Sequence, residues 1–172
     1  MSDRVAVLDD GRLSQQGRPL DIYESPDSEF VANFIGRSSQ LSGSITVDEG
    51  TPILETDAGV TIELSQSVDA RPGDEFSVFL RAEKLNLSRE PTGAENEFPA
   101  KVTTTNYLGE KTQFFCRLNN GKELVVAKHG FTDVNTLDAG DTVYISIPPK
   151  NLVVTNSQRD DQQPNTISES TV

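Results

Sequence analysis

The sequence predicts a mainly β protein, two small barrels in tandem, preceded by a β-hairpin and two short helices. Ten short apolar runs follow one another after residue 38, divided by turns rich in Gly, Asp and Pro. Those runs form two sets of five that match each other in order. Helix-type spacing is confined to the first thirty-six residues.

Val5-Ala6-Val7-Leu8 is an apolar run, Asp9-Asp10-Gly11-Arg12 signals a tight turn, and Leu13 to Gln16 can pair back as a hairpin. A continuously apolar strand asks for cover on both faces. Pro19 suits the first position of a helix that Pro26 must end. In a second helix Asp27 or Ser28 offers a cap, Phe30, Val31, Phe34 and Ile35 share one face, and Gly36 sits where a helix ends. So short a segment cannot bury that much apolar surface alone.

The first five strands are expected over Leu41 to Val47, Pro52 to Glu55, Val60 to Leu64, Phe76 to Arg81, and the alternating Leu85 and Leu87. The acidic, Gly-containing stretch Glu90 to Glu97 reads as an exposed loop. The second five follow at Phe98 to Asn106, Thr112 to Leu118, Lys122 to Lys128, Thr142 to Ile147 and Leu152 to Thr155. Between two of them Asn119-Asn120-Gly121 supplies the positive φ of a hairpin turn. Residues 156–172 are polar and expected to be disordered.

The two sets repeat. Gly73-Asp74 before Phe76 to Leu80, with Leu85 and Leu87 beyond, answers Gly140-Asp141 before Val143 to Ile147, with Leu152 and Val154 beyond, at an offset of 140 − 73 = 67. Asp57-Ala58-Gly59 answers Asn119-Asn120-Gly121 at 121 − 59 = 62, and the loop His129 to Leu137 can supply the difference. Three segments are therefore expected: residues 1–38, residues 39–155 with units at 39–90 and 97–155, and the tail from 156.

Twenty-seven acids against fifteen bases give a net charge of −12, which repels the phosphate backbone and argues against a nucleic-acid partner. The same charge serves plain solubility or a salt-rich cytoplasm; melting in dilute buffer against molar KCl separates the two. No apolar run reaches membrane-spanning length and no signal-peptide pattern opens the chain, so a cytoplasmic protein with no direct membrane insertion is expected. Cys116 stands alone in an apolar stretch, which excludes a disulfide framework and points to an inert buried thiol. His129, the only histidine, falls on an expected surface loop. Asp9-Asp10, Glu95 with Glu97, and Asp160-Asp161 read as turn and solvated acids rather than a metal site, and Phe114, Phe115 and Tyr107 as core. Asn86-Leu87-Ser88 matches a glycosylation sequon that a cytoplasmic setting leaves silent. No Gly-x-x-x-x-Gly-Lys-Ser/Thr loop occurs to cradle a nucleotide phosphate.

Ser2 to Leu13, Gln16-Gly17-Arg18-Pro19 with Ile22-Tyr23-Glu24-Ser25-Pro26, and Phe30 to Gly36 resemble the close of the ATP-binding cassette in ABC importer ATPases serving polyamines, iron, thiamine, oxyanions and sugars. The stretches Leu41 to Ile45, Phe79 to Leu85, and Tyr107-Leu108-Gly109 through Thr112 to Gly121 resemble the strand-rich accessory region that follows, the TOBE domain of oligonucleotide/oligosaccharide-fold (OB) type. The family has Arg-Pro-Glu where this chain has Arg81-Ala82-Glu83. The resemblance implies barrels that steady the ATPase dimer and in some members receive a regulatory ligand. It implies membrane permease partners reached through the cassette, and ATP and Mg held there and not in this chain. This chain would then be no enzyme by itself. Arg81, Glu83, Tyr107, Leu108 and Gly109 are the candidate dimer or regulatory contacts, and the Phe34-Ile35-Gly36 junction with the Tyr107-Leu108-Gly109 stretch leans toward polyamine-like cargo. A free-standing module binding an oxyanion is the alternative.

Overall fold

In the computed structural model, which describes residues 3–35, 38–130 and 136–157, the leading segment is an antiparallel hairpin of β1 (Val5–Asp9) and β2 (Arg12–Gly17). Two one-and-a-half-turn helices follow, α1 (Pro19–Glu24) and α2 (Glu29–Phe34). Ser28 caps α2 by accepting a hydrogen bond from the Val31 amide. The expected end of α2 at Gly36 lies outside the described residues.

The apolar faces differ from the sequence expectation. Val7, Ile22 and Val31 form a small buried cluster, and Ala32 joins Phe79 and Val153 in another. Phe30 and Phe34 instead stack on each other on the outer face, with centroids 5.9 Å apart and Phe34 65% exposed. Leu8, Leu13 and Leu20 are exposed as well, so the hairpin is covered on one face only. The helices are too short to turn all of their apolar residues inward, and Val31 and Ala32 take the inner positions.

The remaining strands stand within two residues of their expected limits, except that β3 begins earlier. They are β3 (Ser38–Asp48), β4 (Thr51–Thr56), β5 (Thr61–Glu63), β6 (Glu75–Arg81) and β7 (Asn86–Ser88), then β8 (Phe98–Tyr107), β9 (Lys111–Arg117), β10 (Glu123–His129), β11 (Thr142–Ser146) and β12 (Val153–Asn156). Two five-stranded antiparallel sheets result, in the orders β5-β4-β3-β6-β12 and β10-β9-β8-β11-β7. Each unit has lent its last strand to the other. Val153 stands opposite Phe79 in one sheet and Ser146 opposite Asn86 in the other. These pairs are equivalent under the 67-residue offset, so the exchange is reciprocal and in the same register.

The repeated turns match atom for atom. The Gly73 amide donates to the Ile45 carbonyl and the Ile45 amide to the Asp74 carbonyl; Gly140, Val102 and Asp141 repeat the pattern. Asp74 accepts from the Arg71 amide and Asp141 from the Asp138 amide, closing each turn with a carboxylate. Both glycines have positive φ, +89° and +100°. Between the sheets lies one continuous core, with Leu41, Leu54, Ile62 and Val78 on one side and Phe114, Leu124, Val126 and Val143 on the other.

The stretch read as an exposed loop has its own order. The Glu97 carboxylate accepts from the Thr92 and Gly93 amides and the Thr92 hydroxyl, while the Asn96 side chain exchanges hydrogen bonds with the backbone of Glu63, finishing the edge of β5. At the other end β12 runs past residue 155, to Asn156. The Ser157 amide donates to the Glu75 carbonyl, and its hydroxyl donates to Glu29. Residues 158–172, expected to be disordered, lie outside the described residues.

At Gly43 the backbones of β3 and β4 leave no room for a side chain, since a Cβ there would lie 2.0 Å from the Glu55 carbonyl oxygen and 2.7 Å from the Thr56 Cα. Backbone cannot swing aside as a side chain can. Gly43→Ala should therefore cost about 2–3 kcal/mol of stability in urea denaturation, at the upper end of overpacking penalties; an unchanged midpoint would contradict the close approach.

Candidate functional site

Arg81 ends β6 and is the largest fully buried side chain, 1% exposed. Its Nη1 donates to the Ala32 carbonyl at 3.3 Å and to the Ile35 carbonyl, at the C-terminal end of α2. Its Nη2 donates to the Tyr23 carbonyl at 3.2 Å. A cation there meets the oxygens that the end of a helix leaves unpaired. The guanidinium also lies over the Tyr23 ring, 4.6 Å from its centroid. The Tyr23 hydroxyl in turn donates to the Glu83 carboxylate. Arg81 and Glu83, two residues apart on the barrel, thus close on Tyr23 from two directions and clasp the leading segment to the sheet.

Burial sets the electrostatics of this clasp. It pulls the Arg81 guanidinium below its ordinary pKa, with Tyr23 and Glu83 opposing that shift; the group remains a cation at any physiological pH. Burial, then the hydrogen bond to Glu83 and the charge of Glu83, push Tyr23 up to about 12.

Tyr107, Leu108 and Gly109 stand elsewhere, at the tip of the β8–β9 hairpin. Tyr107 is 62% exposed and Leu108 51%. The core position expected for Tyr107 is therefore corrected: β8 runs past the cover of the facing sheet, and its last residues reach solvent. The Leu108 amide donates to the Lys111 carbonyl, and Gly109 takes the positive φ of the turn at +75°. The base of the hairpin brings the two sets of candidates near each other. There Lys111 and Gln113 share a cleft of about 380 Å³ with Ala82, Glu83, Ala127 and His129. His129 is exposed, as expected, although it ends β10 rather than lying on a loop. Phe114 and Cys116 are fully buried, and burial raises the Cys116 thiol to about 12.

Tyr23 stands within the Ile22-Tyr23-Glu24 stretch with nothing in the sequence to mark its role. Its partners arrive from sixty residues away, and only the fold brings them together. Lys128 was missed in the same way: its Nζ donates to the Leu85 carbonyl at 2.6 Å, tying β10 to the approach to β7.

Two curled sheets with exchanged end strands, closed against a clasped leading segment, define a tandem OB-like barrel domain. Residues 78–154 match the family described as the TOBE domain. Over 162 residues the chain is 30% identical to the spermidine/putrescine import ATP-binding protein PotA of Rubrobacter xylanophilus, a match covering 92% of this chain and 42% of that protein. It is 32% identical over 166 residues to the protein of the same name from Frankia alni, covering 90% of this chain and 36% of that protein. The cytoplasmic molybdate-binding protein ModG, with molybdate bound, superposes with a TM-score of 0.59 at 14% identity, covering 70% of this chain and 96% of that one; at such identity the likeness is one of fold. These matches are to the TOBE-containing region of ABC importer ATP-binding subunits, and the chain spans about two fifths of the length of these curated relatives.

Arg81→Met keeps the bulk of the side chain but leaves buried carbonyls unpaired, and should cost on the order of 3 kcal/mol in urea denaturation; a cost below 1 kcal/mol would reduce the clasp to a surface contact. Tyr23 has a folded pKa above its unfolded value of about 10, so its contribution to stability is complete below pH 10 and lost as pH rises through about 12. An ultraviolet titration should show one tyrosinate appearing near pH 12, and Tyr23→Phe should remove that step.

Proposed function

We propose that the chain acts as the accessory region of an ATP-binding subunit that drives polyamine import. In this role its barrels pair across the ATPase dimer, hold the two halves together while the nucleotide sites open, and pass on the binding of a regulatory ligand. The observation that carries this reading is the Arg81–Tyr23–Glu83 clasp, because it makes the segment resembling the close of the cassette and the barrels move as one body. The exposed Leu8, Leu13, Leu20 and Phe34 would seat against the cassette. A ligand preferring the barrels in one dimer state shifts that equilibrium by its differential affinity alone.

Permease subunits would meet the cassette, which also holds ATP and Mg; this chain binds neither nucleotide nor nucleic acid. Among the described residues no helix is long and apolar enough to cross a membrane. The complex would be peripheral, on the cytoplasmic side. Arg81 and Glu83 serve as the internal link, and Tyr107, Leu108 and Gly109, exposed at a hairpin tip, as the contact with a second barrel pair. Polyamine cargo draws on the names of the relatives.

Disrupting the gene in its host should abolish energy-dependent spermidine uptake, and a plasmid copy should restore it. Undiminished uptake with loss of another solute would change the cargo, and no transport defect would overturn the reading.

A further inference from the structure

A cleft of about 310 Å³ lies where three parts of the fold meet: the end of α1, the turn after β6 and the turn before β12. Because β12 pairs with β6, the Arg81–Lys84 turn and its repeat equivalent, the Pro148–Asn151 turn, stand side by side. They bring Lys84 and Lys150 into one lining with Arg81, and the end of α1 adds Tyr23, Glu24 and Ser25. Three of the chain's fifteen basic residues thus share a cleft with one carboxylate, in a protein of net charge −12. The three ion pairs of the described residues are Arg18–Asp21, Arg89–Asp141 and Arg117–Glu123, so neither lysine is neutralised by an acid in that way.

We propose that this cleft binds a small phosphate-bearing anion. A concave wall of positive charge in an acidic molecule concentrates the local field and draws in a counter-ion. The chemistry of the donors selects among anions. Nη1 of Arg81 gives both of its protons to backbone carbonyls and Nη2 gives one, which removes the end-on Nη1/Nη2 fork for a planar carboxylate; the Nε proton, buried and without a partner among the described residues, is left over. Two ammonium groups acting as point charges, with the Ser25 hydroxyl and Asn151 amide as neutral donors on the same wall, suit a tetrahedral dianion. Glu24 opposes the charge and favours an anion small enough to sit toward the lysines. A ligand here would touch both the leading segment and the exchanged strand, and so would tighten the clasp. The site rests on described residues of this chain alone and stands whatever solute the transporter carries.

Isothermal titration of the full chain with inorganic phosphate, at constant ionic strength set with chloride, tests the proposal. Saturable binding is expected, weakened tenfold or more in the double variant Lys84→Gln/Lys150→Gln, weakened in each single variant, and unchanged in Lys101→Gln, which removes the same charge as one of the single variants from an exposed position on β8. A parallel titration with glycerol phosphate separates the sources: tighter binding of the ester points to a phosphorylated metabolite, and tighter binding of the free ion to phosphate itself. Absence of saturable heat with both ligands overturns the proposal, as does equal affinity in the double variant. Should the double variant lose its cooperative melt, the single variants, each expected to weaken binding, take its place.

Discussion

The reciprocal exchange of β7 and β12 is the constraint on which the other features rest. Had each unit kept its fifth strand, the chain would form two small barrels with separate cores, each near the lower limit of what apolar burial can stabilise. Sending β7 across to β11 and β12 across to β6 places the closing hydrogen bonds of each sheet in the hands of the other half. The cores then merge, and one cluster runs from Leu41 to Ile147 without a break. The carboxylate-closed turns at Asp74 and Asp141 set the direction in which β6 and β11 leave, and hence where the exchanged strands can land.

The leading segment is attached at the same place. Ala32 of α2, Phe79 of β6 and Val153 of β12 pack together, so one point of contact joins the segment, its nearest strand and the strand received from the second unit. Arg81 lies two residues beyond Phe79 and adds polar bonds to what packing begins. A network of Gln40, Ser42, Ser77, Ser157 and Glu29 extends the attachment along the outer face of β3 and β6. The barrels and the leading segment are thus held by a small apolar contact to which a buried cation and a polar zipper are added.

Strand limits were legible in the sequence because alternation sets the inward positions and glycine or aspartate marks where a turn must break them. The duplication was legible for the same reason, as Gly73-Asp74 and Gly140-Asp141 do the same geometric job. The exchange was not, since alternation says that Leu87 and Val153 belong to strands but not which neighbour each will meet. Arg81 and Glu83 were found as a motif, while their common partner Tyr23 was hidden by distance along the chain. Phe30 and Phe34 misled because a helix of six residues offers more apolar positions than its buried side can accept. Tyr107 misled because alternation continues along β8 after the opposing sheet has ended.

The symmetry of the exchange carries a consequence for how such a molecule can arise. A half-length chain holding one unit would expose the edge of β6 and carry a fifth strand with nothing to pair with. Two such chains would satisfy each other completely, in the register seen between the present halves. The single polypeptide is thus a homodimer written out in tandem. The link at residues 89–97, ordered by the Glu97 carboxylate, turns a concentration-dependent association into an intramolecular one. The halves are not identical in what they hold: Arg81 of the first grips the leading segment, whereas proline occupies its counterpart at residue 148.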